Sequence, residues 1–573
     1  MDSHGQAVSK IASQVERFYH GKEPFRIYHG STNSTRKSQY ERERMTALVE
    51  PNVPMDALVQ ATLRHGLVPP VVMEFAGITV GGGFAGTAGE SSSFRYGFFH
   101  RNVNWIEMVL ADGQIVRASS KERSDLFYGP ASSFGTLGVT TLLELQLIDA
   151  KSHVKMTYYP VTSVREAQAV IDDITADTSF DYCDGIIMTN DISGLRTQGF
   201  TRPSDPWFYI HVQRLMQNKK SQITEAIPMI DYLFRYDRGG FWVARYSYTY
   251  FLTPFNRITR FLLDYFMHTR VMYHALHKSG LAEQYIVQDV AIPNPQASKF
   301  MSYLNANFKQ YPIWICPLRQ SGRGIASTHS LQAKKTNDKT PDTMLNFGVW
   351  GPGSTDRREF VYWNREFEKK VRELGGQKWL YAHTYYTEEE FYEIYNRKEY
   401  DVVRGKYHAG HLPSVYDKAK VDVEAEEKRK RESWKLWLLA AFWRIWPFAG
   451  LYGLWKACLG GIICCPRCCT RAADGHGVKL FMCYVDSLGL GEGLLYREGL
   501  ETQITEMWER GPRRLDVGVG SSGTEQNENN AEHFSRSHRR MIGVWFLSRF
   551  HCHYIQISIP EFVYLEAVQH PSE

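Results

Sequence analysis

GITVGGGFAGTAGESSS, residues 77–93, decides how the rest of the chain is read. It places six glycines and a block of small hydroxyl residues between Phe75 and Phe94. Glycine is costly to order, so such a cluster marks backbone that takes unusual angles or comes close to something. Backbone N–H groups and hydroxyls gathered in one loop suit a diphosphate. A flexible linker is the alternative, but Ile78, Val80 and the strand-like sequence that follows favour a binding loop.

Outward from this run, the N-terminal side reads as a helix over Gln6–Tyr19, with Val8, Ile11, Val15 and Phe18 on one face. A strand over Phe25–Tyr28 empties into a polar loop, His29–Arg36, and a second strand is expected over Ala47–Glu50. Pro54 opens a helix that Gly66 stops. On the C-terminal side, Trp105–Leu110 and Ile115–Val116 are strands joined at Asp112-Gly113. Val139–Ile148 alternates, with Val139, Thr141, Leu143, Leu145 and Leu147 facing one way. Residues 1–150 therefore form one α+β domain built around glycine loops.

Residues 151–425 mix helices and strands with aromatic-rich stretches and form a second α+β domain. An apolar strand is expected within Gln310–Pro317, a polar surface loop over Ser321–Pro341 and a charged helix over Phe360–Leu374, ended by Gly375-Gly376. Trp379–Ala382 reads as a strand and Glu388–Tyr395 as a helix. Residues 428–470 begin with Lys428-Arg429-Lys430-Arg431 and continue into the most apolar stretch of the chain, Trp434–Cys465. That stretch is long enough to span a bilayer, but Arg444, Pro447 and Lys456 interrupt it, so an interfacial or re-entrant anchor stands beside a clean span. Its tryptophans suit the headgroup layer, and the basic run suits anionic lipid on the cytosolic side. Cys464, Cys465, Cys468 and Cys469 have the spacing of a zinc half-site without a second pair, so S-palmitoylation is the better reading. Residues 471–573 read as an irregular, partly disordered tail.

The 573 residues require more than one domain. A net charge of +5 is too weak to indicate nucleic acid, and an aromatic content of 14% suits a large apolar ligand or a membrane surface. The nine cysteines do not form a spread disulfide framework, which favours a reducing compartment. No metal-ligand spacing stands out.

Three blocks in fixed order carry a resemblance: FRIYHGSTNSTR (25–36), the glycine run with NWIEMVLADGQIVRAS (104–119), and DLFYGPASSFGTLGVTTLLELQL (125–147). They resemble the FAD-binding domain of the p-cresol methylhydroxylase/vanillyl-alcohol oxidase flavoproteins. Within that group, TVGGGFAGTAGESSSFRYG (79–97), SDLFYGPASSFGTLG (124–138), YPIWICP (311–317), WLYAHTYYTEEEFYEIY (379–395) and LPSVYDK (412–418) are similar to the Δ(24)-sterol reductases. The resemblance covers roughly residues 5–420. It implies a two-subdomain FAD-binding fold with an α+β substrate or cap domain, followed here by the membrane-associated segment. It also implies an enzyme of the endoplasmic reticulum membrane, facing the cytosol, that reduces the side-chain C24=C25 bond of a sterol with NADPH as co-substrate.

Matching the family's loops residue by residue gives the expected FAD contacts. They are Gly30, Ser31, Thr32, Asn33 and Ser34 in the first loop; Thr79, Val80, Gly81, Gly82, Gly83, Phe84, Ala85, Gly86, Thr87, Ala88, Gly89, Glu90, Ser91 and Ser92 in the second; and Gly135, Gly138 and Val139 in the third. Arg26 and Arg36 lie near the first loop as positive charges. Many relatives attach FAD through a histidine at the position of Asn33; an amide cannot form that bond, so FAD is expected to be non-covalent. An isolated alkene is a poor hydride acceptor, so a proton donor is needed beside it. His383, Tyr385, Tyr386 and Lys406 are the candidates. A flavin oxidase of the sugar-lactone or alcohol type is the alternative enzyme, and a sterol- or membrane-binding protein without FAD is the non-catalytic one.

Overall fold

Alternation from Gly138 to Gln146 produces the central strand of a five-stranded antiparallel sheet, ordered Gln39–Glu41, Thr46–Val49, Gly138–Gln146, Val103–Leu110, Ile115–Ser119. Leu143 and Leu145 are buried while Gln146 is exposed, the period-two pattern of a sheet with one covered face. Gly138 enters this strand at φ +151°, where a Cβ would lie 2.5 Å from the Val109 carbonyl oxygen. The Asp112-Gly113 turn forms as expected, with Gly113 at φ +92° and the Gln114 N–H donating to Asp112 Oδ1 at 3.1 Å.

The computed structural model describes residues 2–22, 26–27, 39–41, 45–188, 199–218, 222–319, 343–423, 445–459, 495–496 and 562–569. All of them belong to one compact unit, Met1–Arg497 with Glu561–Glu573; the other unit, Glu498–Pro560, lies outside the described residues. The Gly30–Ser34 loop, Arg36, the 321–341 loop, the basic run 428–431 and the cysteines at 464–469 also lie outside them.

The glycine run is not a loop throughout. Val80–Ala85 is a short helix, with the Thr79 side chain accepting from the Gly82 N–H at its start, and Ser93–Tyr96 is another. Glycine opposes helix by about 1 kcal/mol per residue, but packing overrides propensity here. A Cβ at Gly81 would lie 2.6 Å from Pro51 Cβ, and one at Gly83 2.2 Å from Met73 Cε. At Gly81, where the neighbour includes Pro51 backbone, only glycine lets this turn of helix sit so close.

The second sheet has eight antiparallel strands, ordered Ile223–Pro228, His153–Val161, Phe562–Gln569, Phe180–Met188, Ile313–Arg319, Thr343–Pro352, Tyr285–Pro293, Gln377–Lys378. One face is covered by the helices Val164–Ala176, Ala297–Asn307 and Arg357–Glu373, whose Ile171, Phe300 and Phe367 pack on Ile187, Ile315 and Phe347. The other face, with Tyr182, Trp314 and Trp350, joins the largest core, which also holds Val49, Leu58 and Met73. That core runs across the expected boundary at residue 150, so both sheets share one interior.

Two elements depart from the sequence reading. Phe562–Gln569, assigned to an irregular tail, is an interior strand paired with both His153–Val161 and Phe180–Met188. Trp379–Ala382, expected as a strand, is not one: strand pairing stops at Lys378, and the chain turns away toward Tyr385. Of the apolar C-terminal segment, the described part is a helix over Phe448–Leu459, 12 residues and so roughly 18 Å long. No described helix is long and apolar enough to cross a membrane.

Candidate active site

Burying a carboxylate in an apolar setting raises its pKa unless a cation or several donors compensate, and three carboxylates meet that condition around one cavity. The cavity has a volume of about 600 Å³ and lies between the glycine run and the second sheet. Gly82, Gly83, Gly86, Thr87, Ala88, Gly89 and Glu90 line it from the first side. Gln288, Asp289, Trp314 and Trp350 line it from the sheet, and Thr269, Arg270, Tyr273, Leu276 and His277 from the helix Thr269–Lys278. Trp379, Tyr381, Ala382, His383 and Tyr385 close it.

Glu74 and Glu90 are buried, and burial drives both carboxyls upward, with Arg235 opposing. Asp289 is pushed up to about 7 by burial, against the lowering effect of hydrogen bonds from Asn346 and Tyr381. The Tyr381 hydroxyl donates to Asp289 Oδ2 at 3.0 Å, and the Asn346 amide donates to Oδ1. Below them, Arg235 Nη2 reaches Asp184 Oδ2 at 2.8 Å and Glu74 Oε1 at 3.3 Å. Asp184 Oδ2 also accepts from Tyr236 and from Trp314 Nε1, each at 3.0 Å, which fixes the Trp314 indole in the cavity wall.

The closing segment is held by a buried ion pair. Lys378 Nζ lies 2.5 Å from Glu368 Oε1, and each side chain is 1% exposed. Glu368 also accepts from the Tyr385 N–H at 3.1 Å and from Thr384 Oγ1 at 3.3 Å. Lys378 donates to the His383 carbonyl. The start of the helix Thr269–Lys278 is fixed likewise: His268 Nδ1 lies 2.6 Å from Asp237 Oδ2, and Arg238 Nη2 lies 2.6 Å from Asp264 Oδ1.

Of the sequence-derived candidates, His383 and Tyr385 line the cavity. Tyr386 does not; it is buried with Val109, Leu137 and Val139. Lys406 is on the surface, 2.5 Å from Asp125 Oδ2. Seven of the fourteen candidates from Thr79 to Ser92, namely Gly82, Gly83 and Gly86–Glu90, reach the cavity; Thr79, Val80, Gly81, Phe84, Ala85, Ser91 and Ser92 do not line it, nor do Gly135, Gly138 and Val139. Phe84 is core, and Ser92 Oγ donates to the Pro70 carbonyl at 2.8 Å. The first N–H groups of the run are spent internally: Gly81 on Pro51 O at 2.8 Å, Gly82 on Thr79 Oγ1 at 3.1 Å and Gly83 on Thr79 O at 2.9 Å.

Asp289 and Tyr381 escaped the sequence reading. The available signal was a lone carboxylate in the apolar strand Tyr285–Pro293, as Glu74 is in VVMEFAG.

The residues present fit a flavin dinucleotide. A glycine-lined backbone edge faces the cavity, aromatic rings wall it, and Arg270 stands against Gly77, 3.1 Å from where a Cβ would be. Gln288 Oε1 is a buried acceptor without a partner on that wall, available to a ring N–H. In agreement, residues 31–119 match a family described as FAD binding domain. A Delta(24)-sterol reductase of Arabidopsis thaliana is 30% identical over 447 residues, covering 70% of this chain and 78% of its own. That of Homo sapiens is 29% identical over 400 residues, covering 66% and 75%. A rice cytokinin dehydrogenase 9 is 30% identical over only 153 residues, 26% of this chain and 29% of its own. Similarity over more than two thirds of the chain with one class, and over about a quarter of it with the other, settles which group the chain falls in: it belongs to the Delta(24)-sterol reductase family.

Proposed function

We propose that the protein is an FAD-dependent reductase of the C24=C25 bond of a sterol side chain, with NADPH as electron donor and FAD held without a covalent bond. One observation carries this reading: a single cavity has the glycine run on one side and the aromatic and carboxylic wall on the other. When bound, FAD supplies the hydride. The chain's own residues do the rest. Gly82, Gly83 and Gly86–Gly89 allow close approach of the cofactor, and Arg270 offers charge to its phosphates. Phe241, Trp314 and Trp350 exclude water and give apolar contact to a hydrocarbon tail. The Glu368–Lys378 pair holds the segment carrying His383 and Tyr385 over the opening.

The same reading puts the protein on a membrane surface, on the cytosolic face of the endoplasmic reticulum. Leu252, Ile258, Phe261 and Leu262 are exposed, as are Trp446, Phe448, Leu451 and Trp455. The two groups adjoin, because Trp446 Nε1 donates to the Tyr250 carbonyl and the Gly450 N–H donates to the Tyr250 hydroxyl at 3.3 Å. The helix Phe448–Leu459 packs on Thr269–Lys278, which lines the cavity, so a sterol has a short apolar path from lipid to site. The basic run 428–431 would add attraction to anionic headgroups.

Expression in cells that accumulate Δ24-sterols, followed by sterol profiling, tests the activity. Conversion to the saturated side chain is expected; an unchanged profile with a soluble, flavin-loaded protein refutes it. Peroxide production in place of sterol reduction would point to the oxidase reading.

A further inference from the structure

We infer that Tyr381 and Asp289 form the proton-delivery pair of the site, with the Tyr381 hydroxyl as the group that protonates the substrate alkene and Asp289 as the acid that refills it. The inference rests on the sterol-reductase reading and adds the proton source that reading lacks.

The geometry fixes the direction of the path. Asp289 Oδ1 is occupied by the Asn346 amide, which is itself held by Trp379 Nε1 donating to Asn346 Oδ1 at 3.0 Å. A proton on Asp289 therefore sits on Oδ2, which faces the Tyr381 oxygen at 3.0 Å. In the ionised form Tyr381 donates to that oxygen. In the protonated form the hydrogen bond reverses, and the hydroxyl proton is released toward the cavity. Tyr381 is placed for this: it is 52% exposed, although protein surrounds it, because its surface forms part of the cavity wall. Asp289, by contrast, is buried.

Burial lifts Asp289 to about 7, so a large share of it holds a proton near neutral pH. Glu74 and Glu90 approach from the glycine-run side and Tyr273 from the helix Thr269–Lys278; each is disfavoured as an anion by an ionised Asp289. Arg235, the guanidinium that opposes the rise of Glu74 and Glu90, is bound to Asp184 and Glu74.

The step balances. The π electrons of C24=C25 take the Tyr381 hydroxyl proton at C24, leaving electron demand at C25, the more substituted carbon. C25 accepts the hydride that reduced flavin supplies, so the sterol gains two electrons and the flavin loses two. The Asp289 proton restores the tyrosine hydroxyl, and the carboxylate is reprotonated from solvent before the next turnover.

Two measurements test this. In the cofactor-free protein, tryptophan fluorescence should titrate with a midpoint near pH 7, because Trp379 senses Asp289 through Asn346. Asp289→Asn should abolish that transition. Tyr381→Phe should move it upward, since the lost hydrogen bond favoured the carboxylate. In the loaded enzyme, turnover in D₂O should place deuterium at C24. Tyr381→Phe and Asp289→Asn should each lower kcat by about 10²–10⁴-fold, with the sterol KM changed only a few-fold. A transition that persists in Asp289→Asn and vanishes in Glu90→Gln would make Glu90 the acid and overturn the proposal. Wild-type kcat in Tyr381→Phe would do the same. If wild-type protein shows the titration but reduces no sterol, the functional reading fails and the pair is only a buried acid.

Discussion

Lys378→Met should damage this protein more than most single substitutions, because it strands a buried carboxylate. Lys378 and Glu368 are each 1% exposed and 2.5 Å apart, and burial already pulls the lysine pKa down against the attraction of its partner. Removing one member of such a pair costs about 3–5 kcal/mol. Glu368 keeps the Thr384 hydroxyl and the Tyr385 N–H as donors, which places the charge term toward the lower end. The His383 carbonyl loses its Lys378 donor, adding about 1–3 kcal/mol for an unmade bond. The expected total is about 4–6 kcal/mol. Urea denaturation of the cofactor-free protein, followed by Trp379 fluorescence, measures it. Glu368→Gln combined with Lys378→Met removes both charges and keeps an acceptor for Tyr385, and the Gln amide can donate to His383. The double variant should recover about 2 kcal/mol relative to Lys378→Met. A loss below about 1 kcal/mol in the single variant, or a double variant no more stable than the single, would refute the claim that an uncompensated Glu368 charge causes the damage.

Three further outcomes follow from other parts of the structure. His268 is raised to about 9: burial opposes its charge, but the hydrogen bonds and charges of Asp237 and Asp264 outweigh it. Its contribution is therefore complete below about pH 6.5 and lost as pH rises toward 9, so His268→Gln should flatten the stability–pH curve across that window in denaturation at stepped pH. Gly81→Ala presses a Cβ on Pro51, including its carbonyl oxygen at 3.0 Å, whereas Gly83→Ala meets the movable end of Met73. Gly81→Ala should thus cost more, about 1–3 kcal/mol, and should do so without cofactor; equal stability of the two alanine variants would contradict the packing role. Deleting residues 562–573 removes the strand between His153–Val161 and Phe180–Met188 and exposes two unpaired strand edges. Loss of soluble protein is expected, and a soluble, monomeric deletion variant with an unchanged circular dichroism spectrum would argue that the strand is dispensable.

Most of the first sheet was legible because its strands alternate and its turns carry Asp-Gly and Gly-stop signals, as at Asp112-Gly113 and Gly66, but the short polar edge strand Gln39–Glu41 carries no such pattern. The strand through Ile313 and Ile315 was legible as an apolar run bounded by prolines, and Thr387 with Glu390 caps a helix where one was expected. What was not legible depends on tertiary contact. Helix over Val80–Ala85 contradicts local propensity and exists because Pro51 packs so close that the position facing it must carry no side chain. Strand Phe562–Gln569 has its partners 374–414 positions earlier in the chain, beyond any local pattern. Within the site, the family motifs led to the glycine run and to His383 and Tyr385. The acids that decide its chemistry were hidden, because one carboxylate in an apolar strand announces burial only when its neighbours are known.

Those acids explain why an apolar cavity suits this reaction better than a polar one. Protonating an unactivated alkene demands an acid that remains protonated near neutral pH yet is not quenched by water. Burial raises the pKa of Asp289 and drives up Glu74 and Glu90 by the same desolvation that would accommodate a hydrocarbon tail. Substrate binding would strengthen the effect by excluding more water, so the raised pKa of the acids and the site's taste for apolar ligands arise from one cause. Opening the wall should therefore lower both together. Trp350→Ala, which removes an indole from the cavity wall together with its hydrogen bond to Tyr381, should shift the Asp289 midpoint downward and raise the sterol KM in the same protein. A shift in one without the other would separate two properties that the geometry ties to the same dry surface.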